Sequence, residues 1–599
     1  MPVRQHPIAG VRPHPALPLF RAALALSLIL SALLFFLWSW RWPLVGDASL
    51  MHYIAFLIER GWAPYRDLGD MNMPGSYLIE LAAMYIFGMG DLAWRIFDFT
   101  LLAIASASFF AICRPSPAPT SGGPSFPASP EGVGSYKGPG APFIAALSRN
   151  GVGWLACGRL AALFSASLFI LIHGRDGLAE GGQRDLTMGV CLIAATAFLF
   201  LAVRYTLSDA SALAFPSRWA GRREGWFAWV FGLFSGLAFT IKPTTLPLTV
   251  AQLALALYFL RRQQRPTNNQ QRLLAPAIAG YLIAPAIALV FLLREQALSA
   301  FLAGFGRDGA VTYYATLGHR PLGYILLHSI SPLLPLVILW LAIVALNRFV
   351  HAPRAAFDWE RAALLAGVLF GLANCILQAR ALPYYRYPLL VFLLPLMALE
   401  FTRASQFPNP GAPFIAASSR WVGSTRTLLT LIALAVGGFF LAPQSAILIH
   451  RYRWWETDFI TTLEANLDIL GGPQLSHHIL CIDTNSGCGN VLYRMRLEPA
   501  DGMLSDFFLF GRSNAPILLR TRRQLLDDFA VNPPRVLVVT SHLYLDDVED
   551  YGKLARWPAF TRLLAERYTL QTQWSPARTA RWWSREETPV SYRIYVLHP

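Results

Sequence analysis

The chain has 599 residues, 55% of them apolar and 14% charged, and a mean hydropathy of +0.42. Soluble domains carry about 25% charged residues, so too few polar groups remain here to coat a water-facing surface of this size. A disordered chain, a collagen and a small disulfide scaffold are excluded on the same figures, and the composition reads as a polytopic membrane protein. The net charge is +15, with 47 Arg and 3 Lys. Without zinc-finger spacing or an RNA-binding signature, that excess reads as basic loops facing the cytoplasm and anionic lipid, with no nucleic acid as partner.

In chain order, the first apolar stretch covers 19–40. It exceeds the roughly 7–15 residues of a secretory core and lacks a clear cleavage site, so it is expected to stay as a first helix. Arg4, Arg12 and Arg21 place its start in the cytoplasm. A large first outer loop follows over 41–92. Within it, 75–90 is apolar but short, contains Glu80, and reads as a juxtamembrane or re-entrant helix. Further spans are expected at 93–113, 154–172, 187–204, 226–241, 244–260, 274–293, 323–346, 362–378, 385–402 and 427–443. Each is near the length that crosses about 30 Å of hydrocarbon. Eleven crossings keep the basic loops around Arg222, Arg261 and Arg354 cytoplasmic; counting 75–90 as a twelfth would reverse the later loops.

Two loops stand out. The stretch 114–150 is rich in Pro, Gly and Ser and reads as a disordered cytoplasmic linker. PGAPFIAALSR at 139–149 nearly repeats as PGAPFIAASSR at 410–420, inside a second loop insertion over about 404–425. Past Pro443 the apolar runs shorten to strand length in HILCID (478–483), RVLVVTS (535–541) and YRIYVLH (592–598). Helical patterns lie between them at 521–529 and 551–568, so 444–599 reads as a soluble α/β domain following a membrane domain over 1–443. The charge divides at the same place: 33 basic and 18 acidic residues precede it, and 17 of each follow. No GxGxxG after a strand and no Walker loop supports a nucleotide site. Cys481 and Cys488 share a polar region and can pair in an oxidising compartment. His477 and His478 lack further ligands at metal spacing.

Charged groups near a membrane are costly and need a reason. They gather here on the expected outer side: Asp47 just past the first helix, Asp67 and Asp70 beside Arg66, and Asp176, Arg184 and Asp185 in HGRDGLAEGGQRDL. Lys242 lies in FTIKPTTLP, and Gln378, Tyr385 and Arg386 in LQARALPYYRYP. Carboxylates combined with cations at helix ends suit transfer to a hydroxyl acceptor from a lipid-phosphate donor. A carboxylate takes the acceptor proton, and Arg or Lys offsets the charge on the departing phosphate.

A single Asp soon after the first helix, then GWAPYRD…D…PGSY…FG and then GQRD, resembles the bacterial polyprenyl-phosphate-sugar-dependent glycosyltransferases. This membrane-embedded class includes the aminoarabinose transferases and protein O-mannosyltransferases. The resemblance spans about 19–402 in scattered motifs. It implies an α-helical polytopic membrane enzyme using a polyprenyl-phosphate-linked sugar on the outer face of the cytoplasmic membrane. Asp47 would be the catalytic base and Asp185, ahead of Asp176, a second functional acid. Asp67, Asp70, Asp176, Arg184, Lys242, Gln378, Tyr385 and Arg386 would bind substrate, and the acceptor would be a lipid, protein or polysaccharide. Relatives often carry a paired acidic motif or a double Pro where this chain has lone Asp47 and Met73-Pro74-Gly75, which leaves a divalent metal open. The rival reading is a transporter or flippase of lipid-linked glycans, which would favour internal repeats and midplane charges. A third is a non-catalytic assembly or sensor protein.

Overall fold

The computed structural model describes residues 26, 29–30, 32–37, 39–114, 152–176, 181–208, 220–263, 267–305, 319–330, 333–350, 358–404, 455–483, 486–511, 516–541, 543, 551–576 and 590–599. The linker beyond 114, both PGAPFIAA copies and the expected span at 427–443 lie outside them.

The molecule is a helical membrane body carrying a small mixed sheet at its C-terminal end. Six helical stretches among the described residues are long and apolar enough to cross a membrane: Asp91–Ile112, Arg184–Leu207, Arg223–Ile241, Pro243–Arg262, Gln270–Arg294 and Trp359–Leu377. Each coincides with an expected span. The helices used below are α1 (Gly46–Glu59), α2 (Pro74–Phe87), α3 (Asp91–Ile112), α4 (Val152–Asp176), α5 (Arg184–Ser208), α6 (Ala220–Ile241), α7 (Leu246–Arg262), α8 (Thr267–Arg294), α9 (Leu334–Val350), α10 (Trp359–Leu377) and α11 (Tyr387–Ala404).

Two expectations change in detail. The stretch at 75–90 forms α2, whose 14 residues reach only about 21 Å at 1.5 Å per residue, short of a bilayer core. The expected single span at 323–346 is divided into a helical turn at Leu322–Ile325, a π-helical turn at Leu326–Ile330 and then α9. Pro335, in the first turn of α9, suits a helix start because its missing N–H is not needed there.

The body packs by close backbone approach. A Cβ on Gly232 or Gly236 of α6 would meet the backbone oxygen of Ala277 at 2.0 Å or of Tyr281 at 2.3 Å on α8. That small-xxx-small spacing lets two helices touch where larger residues would hold them apart.

Beyond the body come α12 (Trp455–Leu470) and α13 (Cys488–Met495), with β1 (Ile479–Ile482), α14 (Pro516–Val531), β2 (Val536–Thr540), α15 (Pro558–Arg567), β3 (Tyr568–Trp574) and β4 (Tyr592–Leu597). The sheet order is β1-β2-β4-β3, with β1 and β2 parallel and the other pairs antiparallel. The three expected strands are β1, β2 and β4. The helical pattern expected over 551–568 becomes a 3-10 turn at Gly552–Arg556 followed by α15, and β3 follows at once. A disulfide joins Cys481 on β1 to Cys488 at the start of α13.

This unit sits directly on the first loop. Tyr53 of α1 donates to the Leu497 carbonyl at 3.1 Å, Trp62 Nε1 to Glu498 at 2.8 Å, and the Gly69 amide to the Gly502 carbonyl at 2.9 Å. Asn490 of α13 donates to the Leu44 carbonyl. Gly502 is required at this contact, because a Cβ there would lie 1.6 Å from the Asp67 carbonyl oxygen.

Candidate active site at one end of the helical body

Asp47 sits in the first turn of α1, where Gly46, at a left-handed φ of +57°, turns the chain into the helix. The exposed amides of a helix start favour an anion there. Two side chains converge on the Asp47 carboxylate: Arg184 Nη2 at 3.3 Å and the Tyr384 hydroxyl at 3.0 Å. Arg184 opens α5, and Tyr384 belongs to the 3-10 turn Pro383–Arg386 that precedes α11. The carboxylate and the guanidinium keep 25% and 28% of their side-chain surface exposed, enough for an incoming group to reach them.

Next to Arg184, Asp185 points into the body and is buried. Both of its oxygens accept from Lys242 Nζ at 2.7 Å. Asn374 Nδ2 and Gln378 Nε2, one turn apart on and just past α10, reach Asp185 at 3.3 and 3.4 Å. Gln378 also donates to the Asn374 side-chain oxygen at 3.0 Å. Lys242 lies between α6 and the 3-10 turn Pro243–Thr245, keeps 22% of its side chain exposed, and stands 5.2 Å from the Tyr385 ring centroid. One pole of the site is thus a carboxylate held by Arg and Tyr. The other is an ammonium held by a carboxylate and flanked by two amides and an aromatic face.

Arg386 and Asp176 pair with each other at 3.4 Å, and both side chains are almost wholly buried. Asp67 and Asp70 bond within their own loop. Asp67 accepts from Arg66 at 2.7 and 2.8 Å and from the Ala63 amide at 2.8 Å. Those Arg66 hydrogen bonds hold its carboxyl below the usual range. Asp70 accepts from Asn72 Nδ2 at 2.5 Å and from Tyr77 at 2.7 Å, and Asn72 in turn reaches Met51 of α1. The structure therefore gathers Asp47, Arg184, Asp185, Lys242, Gln378 and Tyr385 into one constellation, while Asp67 and Asp70 bond within the first loop and α2, and Asp176 pairs with Arg386.

Tyr384 lies in the LQARALPYYRYP cluster read from the sequence; Asn374 was not singled out there, although a lone Asn in the apolar run of α10 is the kind of signal that marks a polar interior. The buried pair of His52 Nδ1 and Glu80 Oε2, 3.1 Å apart between α1 and α2, was also missed. The turn joining α10 to Pro383 carries two non-glycine residues at left-handed φ, Ala379 at +54° and Ala381 at +59°, so it holds backbone strain beside the site. Among the described residues, no three His, Cys, Asp or Glu side chains group as a set that could hold a metal ion.

No protein-family model and no curated protein matches the chain. Solved structures do. With ArnT from Cupriavidus metallidurans in its crystal structure bound to undecaprenyl phosphate, the match has a TM-score of 0.50 at 14% identity and covers 97% of this chain and 98% of that one. The chain shares the fold of ArnT. The apo state of ArnT gives a TM-score of 0.50 at 13% identity, covering 96% and 98%. The Archaeoglobus fulgidus oligosaccharyltransferase in its apo form is more distant, with a TM-score of 0.47 and 10% identity over 86% of this chain and 69% of that one. End-to-end coverage with ArnT means that the C-terminal unit, as well as the helical body, belongs to the shared architecture.

Proposed function

We propose that the protein is a glycosyltransferase of the cytoplasmic membrane that takes its sugar from a polyprenyl-phosphate donor at the outer face. The observation that carries this reading is the two-pole site itself, in a fold shared with a protein whose structure holds undecaprenyl phosphate. Asp47, reachable and oriented by Arg184 and Tyr384, takes the acceptor hydroxyl proton. The acceptor oxygen attacks the anomeric carbon, the bond from that carbon to the phosphate oxygen breaks with inversion, and the electron pair leaves on the polyprenyl phosphate.

The leaving phosphate needs cations. Arg184 and Lys242 supply them, through the exposed parts of their side chains. Asp185 acts on Lys242 rather than on the sugar: it is buried, it is hydrogen-bonded to three side chains, and it holds the ammonium in one place. Arg386, buried against Asp176, serves the shape of the Tyr384–Tyr385 turn. The C-terminal unit, bonded to α1 and the first loop, fixes the helix that carries Asp47 and borders the acceptor side. The Cys481–Cys488 bond supports placing that unit outside the cytoplasm, because such bonds persist in oxidising compartments.

The test is incubation of the purified protein in vesicles with labelled polyprenyl-phosphate sugars and candidate lipid, protein and polysaccharide acceptors. Labelled acceptor with release of polyprenyl phosphate is the expected result. Movement of intact donor across the bilayer, with no chemical change, would replace this reading with a transporter.

A further inference from the structure

The two side chains that hold Asp47 stand on separate elements, Arg184 at the start of α5 and Tyr384 in the turn before α11. What fixes those elements relative to each other is a line of polar groups inside the body. Tyr387, the first residue of α11, places its hydroxyl 2.5 Å from His173 Nδ1 on α4. His173 Nε2 lies 3.0 Å from Asp98 Oδ2 on α3. The other oxygen of Asp98 accepts the Gly182 amide at 2.8 Å, two residues before Arg184. All three side chains have essentially no exposed surface.

Each member has a partner on either side. With Asp98 as acceptor at Nε2, the other ring nitrogen, Nδ1, meets the Tyr387 hydroxyl, so both nitrogens of His173 are partnered. The 181–182 turn is seated as tightly as the bonds suggest. Gly182 has a φ of +62°, and a Cβ on it would lie 2.0 Å from the Trp94 ring; a Cβ on Gly181 would lie 2.3 Å from Arg95. Arg386, beside Tyr387, pairs with Asp176, one turn beyond His173, so α4 grips the start of α11 twice. Because α3 and α4 hold one Asp47 donor through Gly182 and the other through Tyr387, the distance between Arg184 and Tyr384 is set by this line.

We infer that Asp98, His173 and Tyr387 form a buried positioning relay that holds the two donors of Asp47 in register, an inference that rests on the glycosyl-transfer reading above. None of the three touches the reacting groups; they act through Arg184 and Tyr384. The consequence is a defect in the chemical step rather than in donor binding, since misplacing catalytic groups by about an ångström costs up to about 100-fold in rate.

The experiment compares Tyr387→Phe, His173→Gln and His173→Leu in the full-length protein in vesicles. Tyr387→Phe is expected to lower kcat by about 10- to 100-fold while the donor KM stays within about twofold. His173→Gln, which keeps a donor and an acceptor, should retain more kcat than His173→Leu. Because the relay acts through Arg184 and Tyr384, adding Tyr387→Phe to a protein that lacks both donors, Arg184→Gln with Tyr384→Phe, should cost no more than about twofold further. Independent, multiplying losses, or a change confined to KM, would overturn the relay.

A second readout needs no turnover. Amide exchange in the peptides covering 181–186 and 383–388 should accelerate together in Tyr387→Phe, although these segments are far apart in sequence. Unchanged exchange in the 181–186 peptide overturns the relay. If the wild type transfers no sugar from any donor, the functional reading fails, and this exchange result alone decides whether the mechanical link stands.

Discussion

Asp185→Asn is the perturbation with the clearest physical consequence. It leaves the Lys242 ammonium, bonded to both carboxylate oxygens at 2.7 Å, without its counter-charge in a mostly buried place. At an effective dielectric near 20, unit charges this close attract by about 6 kcal/mol before the desolvation of either is counted. Removing one partner of a buried pair costs roughly 3–5 kcal/mol, and the 22% exposure of Lys242 moves the expectation to the lower end, about 3 kcal/mol. Lys242→Met strands Asp185 instead, where Asn374 and Gln378 still donate, so its cost should be smaller, about 2 kcal/mol. The double variant removes both charges and should recover about 2 kcal/mol of the summed loss. The assay is equilibrium unfolding of the four proteins in mixed micelles, with binding of polyprenyl phosphate measured in parallel. Binding should weaken in both proteins that lack Lys242, including the restabilised double variant. Additive stability losses, or full phosphate affinity without Lys242, would refute the assigned roles.

Gly182→Ala should lower thermal stability and kcat together, because the new methyl group meets the Trp94 ring at 2.0 Å while φ stays at +62°; melting temperature and turnover check it. Ala381→Gly should raise stability by roughly 0.5–1 kcal/mol by relieving a left-handed φ, and Ala381→Val should lower it, both read as shifts in melting temperature. Replacing Cys481 and Cys488 by Ser should cost about 2.5 kcal/mol on the loop-closure relation for a bridge spanning seven residues, and should loosen α13 from α1 in amide exchange. The fourth concerns pH. Burial and the neighbouring Asp528 push the Asp501 carboxyl up to about 6, so the stability it lends is complete below its unfolded value near 4 and is lost as pH rises through 6. Asp501→Asn should therefore be more stable than wild type at pH 7.5, by on the order of 2 kcal/mol, with no advantage below about pH 4.

The membrane body was legible because apolar length is a strong signal and the bilayer sets its scale. Six of the expected spans return as crossing-length helices, and the expected helix within 75–90 returns as the 14-residue α2. The π-helical turn at Leu326–Ile330 was not read, because an apolar run looks the same whether or not it changes its helical winding. Strand β3 was missed for a related reason. YTLQTQW has polar residues on both faces and follows α15 without a glycine or proline between them, so nothing marks the change of period. In the site, residue types at helix ends pointed to Asp47, Arg184, Asp185 and Lys242, but their pairing did not follow from spacing. Arg184 and Asp185 are adjacent yet face different partners, a matter of how α5 is rotated, which only packing decides. His173 and Asp98 were silent because each alone is an ordinary polar residue in an apolar helix, and the LQARALPYYRYP cluster that holds Tyr387 gave no sign of its partners on α3 and α4.

Asp47 is the centre of the proposed chemistry, and one measurement reaches it most directly: single-turnover sugar transfer from a labelled polyprenyl-phosphate donor by wild type and Asp47→Asn, with polyprenyl-phosphate affinity measured on the same samples. Asparagine fills the same space and accepts from Arg184 and Tyr384 but takes no proton. The expected result is a fall in rate of about 10²–10⁴-fold with affinity preserved. An Asp47→Asn protein that transfers sugar at the wild-type rate would contradict the assignment.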